Sequence, residues 1–275
     1  IIEKSFLSLS MIQCGKLIMD NDKKDFSIII PVYNNQGSIK ELGKQINEKI
    51  FNTNKLLNGE IIFTEDGSQD NSFQELLKLK DNNVKIIKFT RNFGQAAGVI
   101  AALNHSNSKC CIIMSADLQD PVELINDFFK YHFRDKIHIV AGYRKSREDS
   151  LISRIFSKLF IILIKKMIFS NYPIQGFDYV LISEQVKNEM LKMNESNPFW
   201  QGQMLWSGFS SKFIPYERQK RYSGKSQMSL SKKINYSMDG IFGFSILPIR
   251  VLSLSGILIS ICGFIYASYI ILAKI

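Results

Sequence analysis

The segment Cys110-Cys-Ile-Ile-Met-Ser-Ala-Asp-Leu-Gln-Asp-Pro-Val-Glu123 passes from an apolar run into a carboxylate and then towards a new helix. A short continuous apolar run of this kind fits a strand buried on both faces, as in parallel sheets. An aspartate at the C-terminal end of such a strand lies in the crevice where open α/β sheets bind their ligands. Asp117 is therefore a candidate to hold a metal or a phosphate-bearing substrate, although an Asp-Leu-Gln at a strand end is, taken alone, more often a turn than a site. Asp120 and Pro121 read as the N-cap and first residue of the next helix, an account that leaves Asp117 and Gln119 unexplained.

Outward from this stretch, Phe26–Val32, Glu60–Thr64, Val84–Phe89 and Ile137–Gly142 are further short runs rich in β-branched residues. Helical spacing appears between them, as in Ile39, Leu42, Ile46 and Ile50 after a Ser38 cap, or Phe73, Leu76 and Leu77 after Asp70. Strands alternating with helices predict βαβ units, and so an α/β fold with a mostly parallel sheet and helices on both faces. No GxGxxG follows the first strand, which disfavours the usual dinucleotide fold. With 275 residues and 45% apolar content the chain can bury one substantial core.

The formal charge of +10 implies an anionic partner: nucleic acid, an acidic membrane or a phosphorylated substrate. Position discriminates among them. Val251 to Leu272 carries no charge, is flanked by Arg250 and Lys274, and as a helix spans about 33 Å, enough to cross a bilayer. Leu151 to Phe169 is apolar with Arg154, Lys158, Lys165 and Lys166 interspersed; it reads either as an interfacial helix or as a core helix with snorkelling lysines. The basic stretch Glu217–Lys233 precedes the apolar span, and charge so placed marks the cytoplasmic side. The expected division is an N-terminal extension (1–25), a catalytic domain facing the cytoplasm (26–218), a basic juxtamembrane segment with an amphipathic helix (219–250) and a transmembrane helix (251–272) in the inner membrane. Cys14, Cys110, Cys111 and Cys262 lack zinc or disulfide spacing, and no secretory cleavage site follows the N-terminal apolar clusters. Basic residues cluster beside membrane segments rather than with interleaved aromatics, so nucleic acid is not an expected partner.

Four loops follow predicted strands and so share one sheet edge: Pro31-Val-Tyr-Asn-Asn35, Glu65-Asp-Gly-Ser-Gln-Asp70, Arg91-Asn-Phe-Gly-Gln95 and Ser115–Gln119. Gly67 and Gly94 let backbone approach a ligand closely, while Glu65, Asp66 and Asp117 offer hard oxygens to a ribose, a base or a divalent cation.

In this order the loops resemble the family 2 inverting glycosyltransferases, and among them the polyprenyl-phosphate glycosyltransferases related to dolichyl-phosphate mannose synthase. The family pattern IPxYNE, VDDGSxDxT, RNxGxxxA, DADLQxPPE, GxR, a GDFRL-like segment and RxxGxSkyS reads here as IPVYNN, TEDGSQDNS, RNFGQAAG, SADLQDPVE, GYR (Gly142–Arg144), FDYVL (Phe177–Leu181) and RYSGKSQMS (Arg221–Ser229). The resemblance implies a GT-A, Rossmann-like domain followed by interfacial helices and a membrane helix. It implies nucleotide-sugar contacts at Pro31, Tyr33, Glu65, Asp66, Asn92 and Gly94, and a Mg²⁺ or Mn²⁺ held through Asp117 and Gln119. It also implies an acceptor-phosphate set of Arg144, Arg154, Arg221 and Ser226, with Asp178 as an acid-base or sugar-orienting group.

The implied partners are a UDP- or GDP-linked sugar, a polyprenyl phosphate (undecaprenyl in a bacterium) and membrane lipid, in the making or modification of cell-envelope polysaccharide; homo-oligomerisation is left open. Competing readings are the same fold acting on a glycan or lipid-linked oligosaccharide, and a catalytically silent binding protein. Ser115 in place of the first Asp of DADLQ removes a metal-ligand candidate, Glu65 for Asp keeps a carboxylate at greater reach, and Asn35 for Glu has no assigned effect.

Overall fold

The computed structural model describes residues 11–13, 23–79, 81–145, 173, 176–193, 195, 198–223, 243–244 and 247–274. Among them one sheet contains β1 (Met11–Gln13), β2 (Lys24–Val32), β3 (Gly59–Glu65), β4 (Val84–Phe89), β5 (Ser108–Ile113), β6 (Ile139–Arg144), β7 (Tyr179–Ser183) and β8 (Ser211–Tyr216), in the order β1-β4-β3-β2-β5-β7-β6-β8. The helices are α1 (Gln36–Ile46), α2 (Ser72–Lys78), α3 (Gln95–His105), α4 (Leu124–Phe129), α5 (Glu184–Lys192), α6 (Trp200–Trp206) and α7 (Leu247–Lys274). Single π turns, Asn47–Phe51 and Lys130–Arg134, extend α1 and α4.

Strands β4, β3, β2 and β5 pair in parallel, as do β6 and β8, whereas β7 runs against both β5 and β6. The mostly parallel sheet expected from strand–helix alternation is present. Its two faces follow from the two-residue period of the strands. Phe26, Ile28, Ile30, Cys110 and Ile112 point to one core with Ile39 and Leu42 of α1, Leu76 of α2 and Phe128 of α4. Ile29, Cys111 and Ile113 point to the other, with Val99 of α3, Val186 of α5 and Trp200 of α6. Burying each of these large side chains is worth about 1.5–3 kcal/mol, and the two layers together fix the register of β2 and β5.

Local details differ from the sequence reading. Ser38 is not a cap: α1 begins at Gln36 after Asn35, and the Ser38 hydroxyl instead donates to the Ala116 carbonyl at 2.6 Å. Asp120 and Pro121 do not start a helix either, since α4 begins at Leu124 with Glu123 as its cap, and Asp120 is drawn into a buried polar cluster. The strands β7 and β8 were not expected. The first is short, and the second carries Pro215, which suits the sheet edge that it occupies. Helix α7 is long and apolar enough from Ile249 to Ala273 to cross a membrane, and none of it is buried. The segment 151–169 with Arg154, and residues 224–242 with Ser226, lie outside the described residues.

Candidate active site

Strand direction assembles the site. Because β2, β3, β4, β5, β6 and β8 end at one edge while β7 begins there, the loops after Val32, Glu65, Phe89, Ile113 and Tyr216 share that edge with Arg144 at the end of β6 and with Asp178, the residue before Tyr179.

On one side of this edge the loops are stitched through Asp66. Its backbone N–H donates to the Val32 carbonyl at 2.9 Å, and its buried carboxylate accepts from Phe93 N (2.6 Å), Gly94 N (2.9 Å) and Asn92 Nδ2 (3.0 Å). Gly67, at φ +67°, lies so close to the next loop that a Cβ would stand 2.6 Å from the Arg91 carbonyl carbon. Glu65 is buried and accepts from Ser68 N at 2.5 Å. Asn34, at φ +54°, donates its N–H to Ser68 Oγ (3.0 Å) and accepts from Gln69 N (2.9 Å). The nucleotide-side candidates Pro31, Tyr33, Glu65, Asp66, Asn92 and Gly94 are thus neighbours on one rim, with Tyr33 half-buried and Asn92 exposed.

Asp117 forms the centre. Its Oδ1 accepts from Ser115 Oγ (2.9 Å) and Gln119 N (3.2 Å), and its Oδ2 lies 2.9 Å from Arg221 Nη2 and 3.7 Å from Arg218 Nη2. Leu118, between the two metal-ligand candidates, has φ +57°, a conformation unfavourable for a bulky residue and tolerated where surrounding contacts impose it. Leu118 is buried in the core, and its two neighbours are bound by residues beyond β8. Gln219 N donates to Gln119 O at 2.9 Å, and Gln119 Nε2 donates back to Gln219 O at 3.3 Å.

Beyond Asp117 the polar groups continue without a break. The Ser115 hydroxyl also lies 2.7 Å from Asp120 Oδ2, and Tyr216 OH donates to Asp120 Oδ1 at 2.5 Å. Tyr216 hydrogen-bonds Arg144, whose Nη2 donates to Asp178 Oδ2 at 3.1 Å; Gln201 Nε2 donates to Asp178 Oδ1, also at 3.1 Å. Burial pulls the Arg144 guanidinium down, but Asp178, Asp120 and Tyr216 together hold its pKa above the ordinary value, so it stays charged. Burial, then the Asp120 carboxylate, pushes the Tyr216 phenol up, which keeps it a donor at neutral pH.

The sequence-derived acceptor set is therefore split: Arg221 lies on Asp117 and Arg144 on Asp178. Asp120, Gln201, Tyr216 and Arg218 were not anticipated. Arg218 left a trace in sequence, three residues before Arg221 in the basic stretch, and Asp120 lies in the Asp117 motif but reads there as a helix cap. Among the described residues no three His, Cys, Asp or Glu side chains form a metal cluster. A Mg²⁺ or Mn²⁺ completed by substrate phosphates needs only one or two carboxylates. Asp117 fits that requirement, since its Oδ2 already holds a cationic group.

The sequence model described as Glycosyl transferase family 2 matches residues 27–190. The glycosyltransferase YkcC of Bacillus subtilis is 33% identical over 91% of this chain and 77% of its own length. A prophage bactoprenol glucosyl transferase homolog of Escherichia coli is 30% identical over 90% of this chain and 81% of its own. Among solved structures, glucosyl-3-phosphoglycerate synthase from Mycobacterium tuberculosis, in complex with Mn²⁺ and UDP-glucose, superposes with a TM-score of 0.53 at 13% identity, covering 79% of this chain and 77% of that one.

Proposed function

Because the chain belongs to glycosyl transferase family 2, we propose that it moves a sugar from a nucleoside-diphosphate donor to a polyprenyl phosphate, with inversion at the anomeric carbon. It is a glycosyltransferase with a GT-A-like fold. The observation that carries the acceptor half of the reading is the Arg221–Asp117 pair. It sets a phosphate-seeking guanidinium on the central carboxylate, in a segment that precedes the apolar helix α7. Relatives named bactoprenol glucosyl transferases support the same acceptor class.

In this reading Pro31, Tyr33, Glu65, Asp66, Asn92 and Gly94 form the nucleotide rim, and Asp117 with Gln119 would hold Mg²⁺ or Mn²⁺. Such a cation, when bound, neutralises charge on the departing diphosphate. The structural relative's complex with Mn²⁺ and UDP-glucose supports a divalent ion and a UDP-linked sugar; a GDP-linked one is the alternative donor. Arg221, with Arg154 and Ser226, binds the acceptor phosphate, for which a planar guanidinium offers two parallel hydrogen bonds. Arg144 and Gln201 hold Asp178 from both oxygens, so that its carboxylate orients the sugar or acceptor. A phosphate monoester, with a second pKa near 6, is largely dianionic at neutral pH, so no strong base is required. The rate then comes mainly from holding the phosphate oxygen in line with the anomeric carbon and stabilising the leaving group. Helix α7 anchors the enzyme, with the catalytic domain on the cytoplasmic side, where Arg250 and the basic stretch before it belong.

The test is incubation of membranes carrying the chain with labelled UDP- and GDP-sugars, undecaprenyl phosphate and Mn²⁺ or Mg²⁺. A labelled lipid whose formation is abolished by chelator is expected. Label appearing only in oligosaccharide would replace the acceptor assignment.

A further inference from the structure

Among the described residues, the carboxylates around Asp117 leave Arg218 without a hydrogen-bonded acceptor. Tyr216 donates to Asp120, Arg144 and Gln201 donate to the two Asp178 oxygens, Gln119 N and Arg221 donate to the two Asp117 oxygens, and Ser115 Oγ lies between Asp117 and Asp120. Arg218 reaches the same Asp117 oxygen only at 3.7 Å, too far for a hydrogen bond. Its Nε is buried and has no hydrogen-bond partner. A buried N–H without an acceptor is costly, so this guanidinium is not held in place by the hydrogen bonds of the protein itself. Pairing of Gln219 with Gln119 holds this arginine against the loop that carries Asp117, with 28% of its side chain exposed beside that carboxylate.

We propose that Arg218 is a phosphate-binding residue of the active site, the two terminal nitrogens of its partly exposed guanidinium forming the paired donors that grip two oxygens of one phosphate group. Planar, two-point recognition of this kind is what arginine supplies and lysine does not. The inference rests on the transferase reading, and the phosphate belongs either to the nucleoside diphosphate or to the lipid acceptor. Arg221 already has a short partner in Asp117, whereas Arg218 has none at hydrogen-bonding distance.

The experiment uses the full-length chain in lipid nanodiscs and compares wild type with Arg218→Gln and Arg218→Lys. Uridine, UDP, guanosine and GDP are titrated calorimetrically, and transfer to undecaprenyl phosphate is followed as a function of its concentration. Contact with the nucleotide predicts at least tenfold weaker binding of the diphosphate in Arg218→Gln, unchanged binding of the matching nucleoside, and only partial recovery with lysine. Contact with the acceptor predicts an unchanged diphosphate affinity and an acceptor KM raised at least tenfold. Diphosphate affinity and acceptor KM both within twofold of wild type, in a variant of native thermal midpoint, overturn the assignment and leave the transferase reading standing. A wild-type chain that neither binds either diphosphate nor labels the lipid overturns both. Should Arg218→Gln lower the thermal midpoint, the lysine variant decides: full recovery of affinity and KM would mean that charge alone matters and that no two-point grip exists.

Discussion

Ser115 Oγ lies 2.9 Å from Asp117 Oδ1 and 2.7 Å from Asp120 Oδ2, so one hydroxyl separates two carboxylates. A hydroxyl can donate only once, and a third carboxylate in its place would crowd like charges together. Ser115→Asp should therefore lower the thermal midpoint in the presence of chelator, and Mn²⁺ should raise it by more than in the native protein. Equal responses to Mn²⁺ would mean that position 115 does not reach a cation. Asp117→Asn keeps the shape but removes the charge facing Arg221. Transfer is expected to fall at least tenfold while circular dichroism stays native, because a charge-assisted pair is lost from a partly desolvated site. Undiminished turnover would remove Asp117 from the centre of the site.

Where elements meet, two glycines offer a controlled comparison. Gly67 and Gly94 both have positive φ, but a Cβ on Gly67 meets the Arg91 backbone at 2.6 Å whereas one on Gly94 meets nothing within 4 Å. Gly67→Ala should cost the backbone strain, about 1–3 kcal/mol, plus the clash with the loop that carries Arg91. Gly94→Ala should cost the strain alone, and urea denaturation would rank them. A second test concerns the π turn after α4, where His132 Nδ1 donates to the Ile137 carbonyl at 2.8 Å. Burial outweighs that hydrogen bond and lowers the His132 pKa, as burial and then Lys85 do for His105. The unfolded chain then binds more protons than the folded one below the ordinary histidine pKa of about 6.5. Stability is complete above that pH and declines as pH falls from it through the lowered folded value. His132→Gln should flatten, without abolishing, the loss of urea midpoint between about pH 7.5 and 5.5.

The molecule as a whole couples a buried α/β domain to an exposed apolar helix. Among the described residues, the buried members of both hydrophobic cores lie before residue 217 and Phe244, which packs on one of them, precedes Leu247, so deleting the chain from Leu247 onward should leave the domain folded and able to bind nucleotide. The same deletion should reduce use of undecaprenyl phosphate while sparing a short-chain, water-soluble polyprenyl phosphate, because only the long acceptor must be met at the membrane surface. Equal rates with both acceptors, with and without α7, would exclude a presenting role for the helix.

The strand-end position of Asp117, the glycine-bearing loops beside one another at that sheet edge and the apolar C-terminal helix were legible in the chain because each depends on local pattern: an apolar run ending in a carboxylate, glycines in strand-end turns, a long stretch without charge. The strand–helix alternation likewise announced a mostly parallel sheet, since two-residue and 3.6-residue periods are properties of neighbouring positions. Ser38 and Asp120 misled for the complementary reason: each has the chemistry of a helix cap, and each spends it on a partner far along the chain, Ala116 for the first and Tyr216 for the second. The reversal of β7, which puts Asp178 beside Arg144, and the return of residues 217–223 over Gln119, which brings Arg218 and Arg221 to Asp117, have no local signature. Periodicity states what a segment becomes, whereas pairing between distant segments is settled by which faces bury one another best, and that competition exists only in the folded chain.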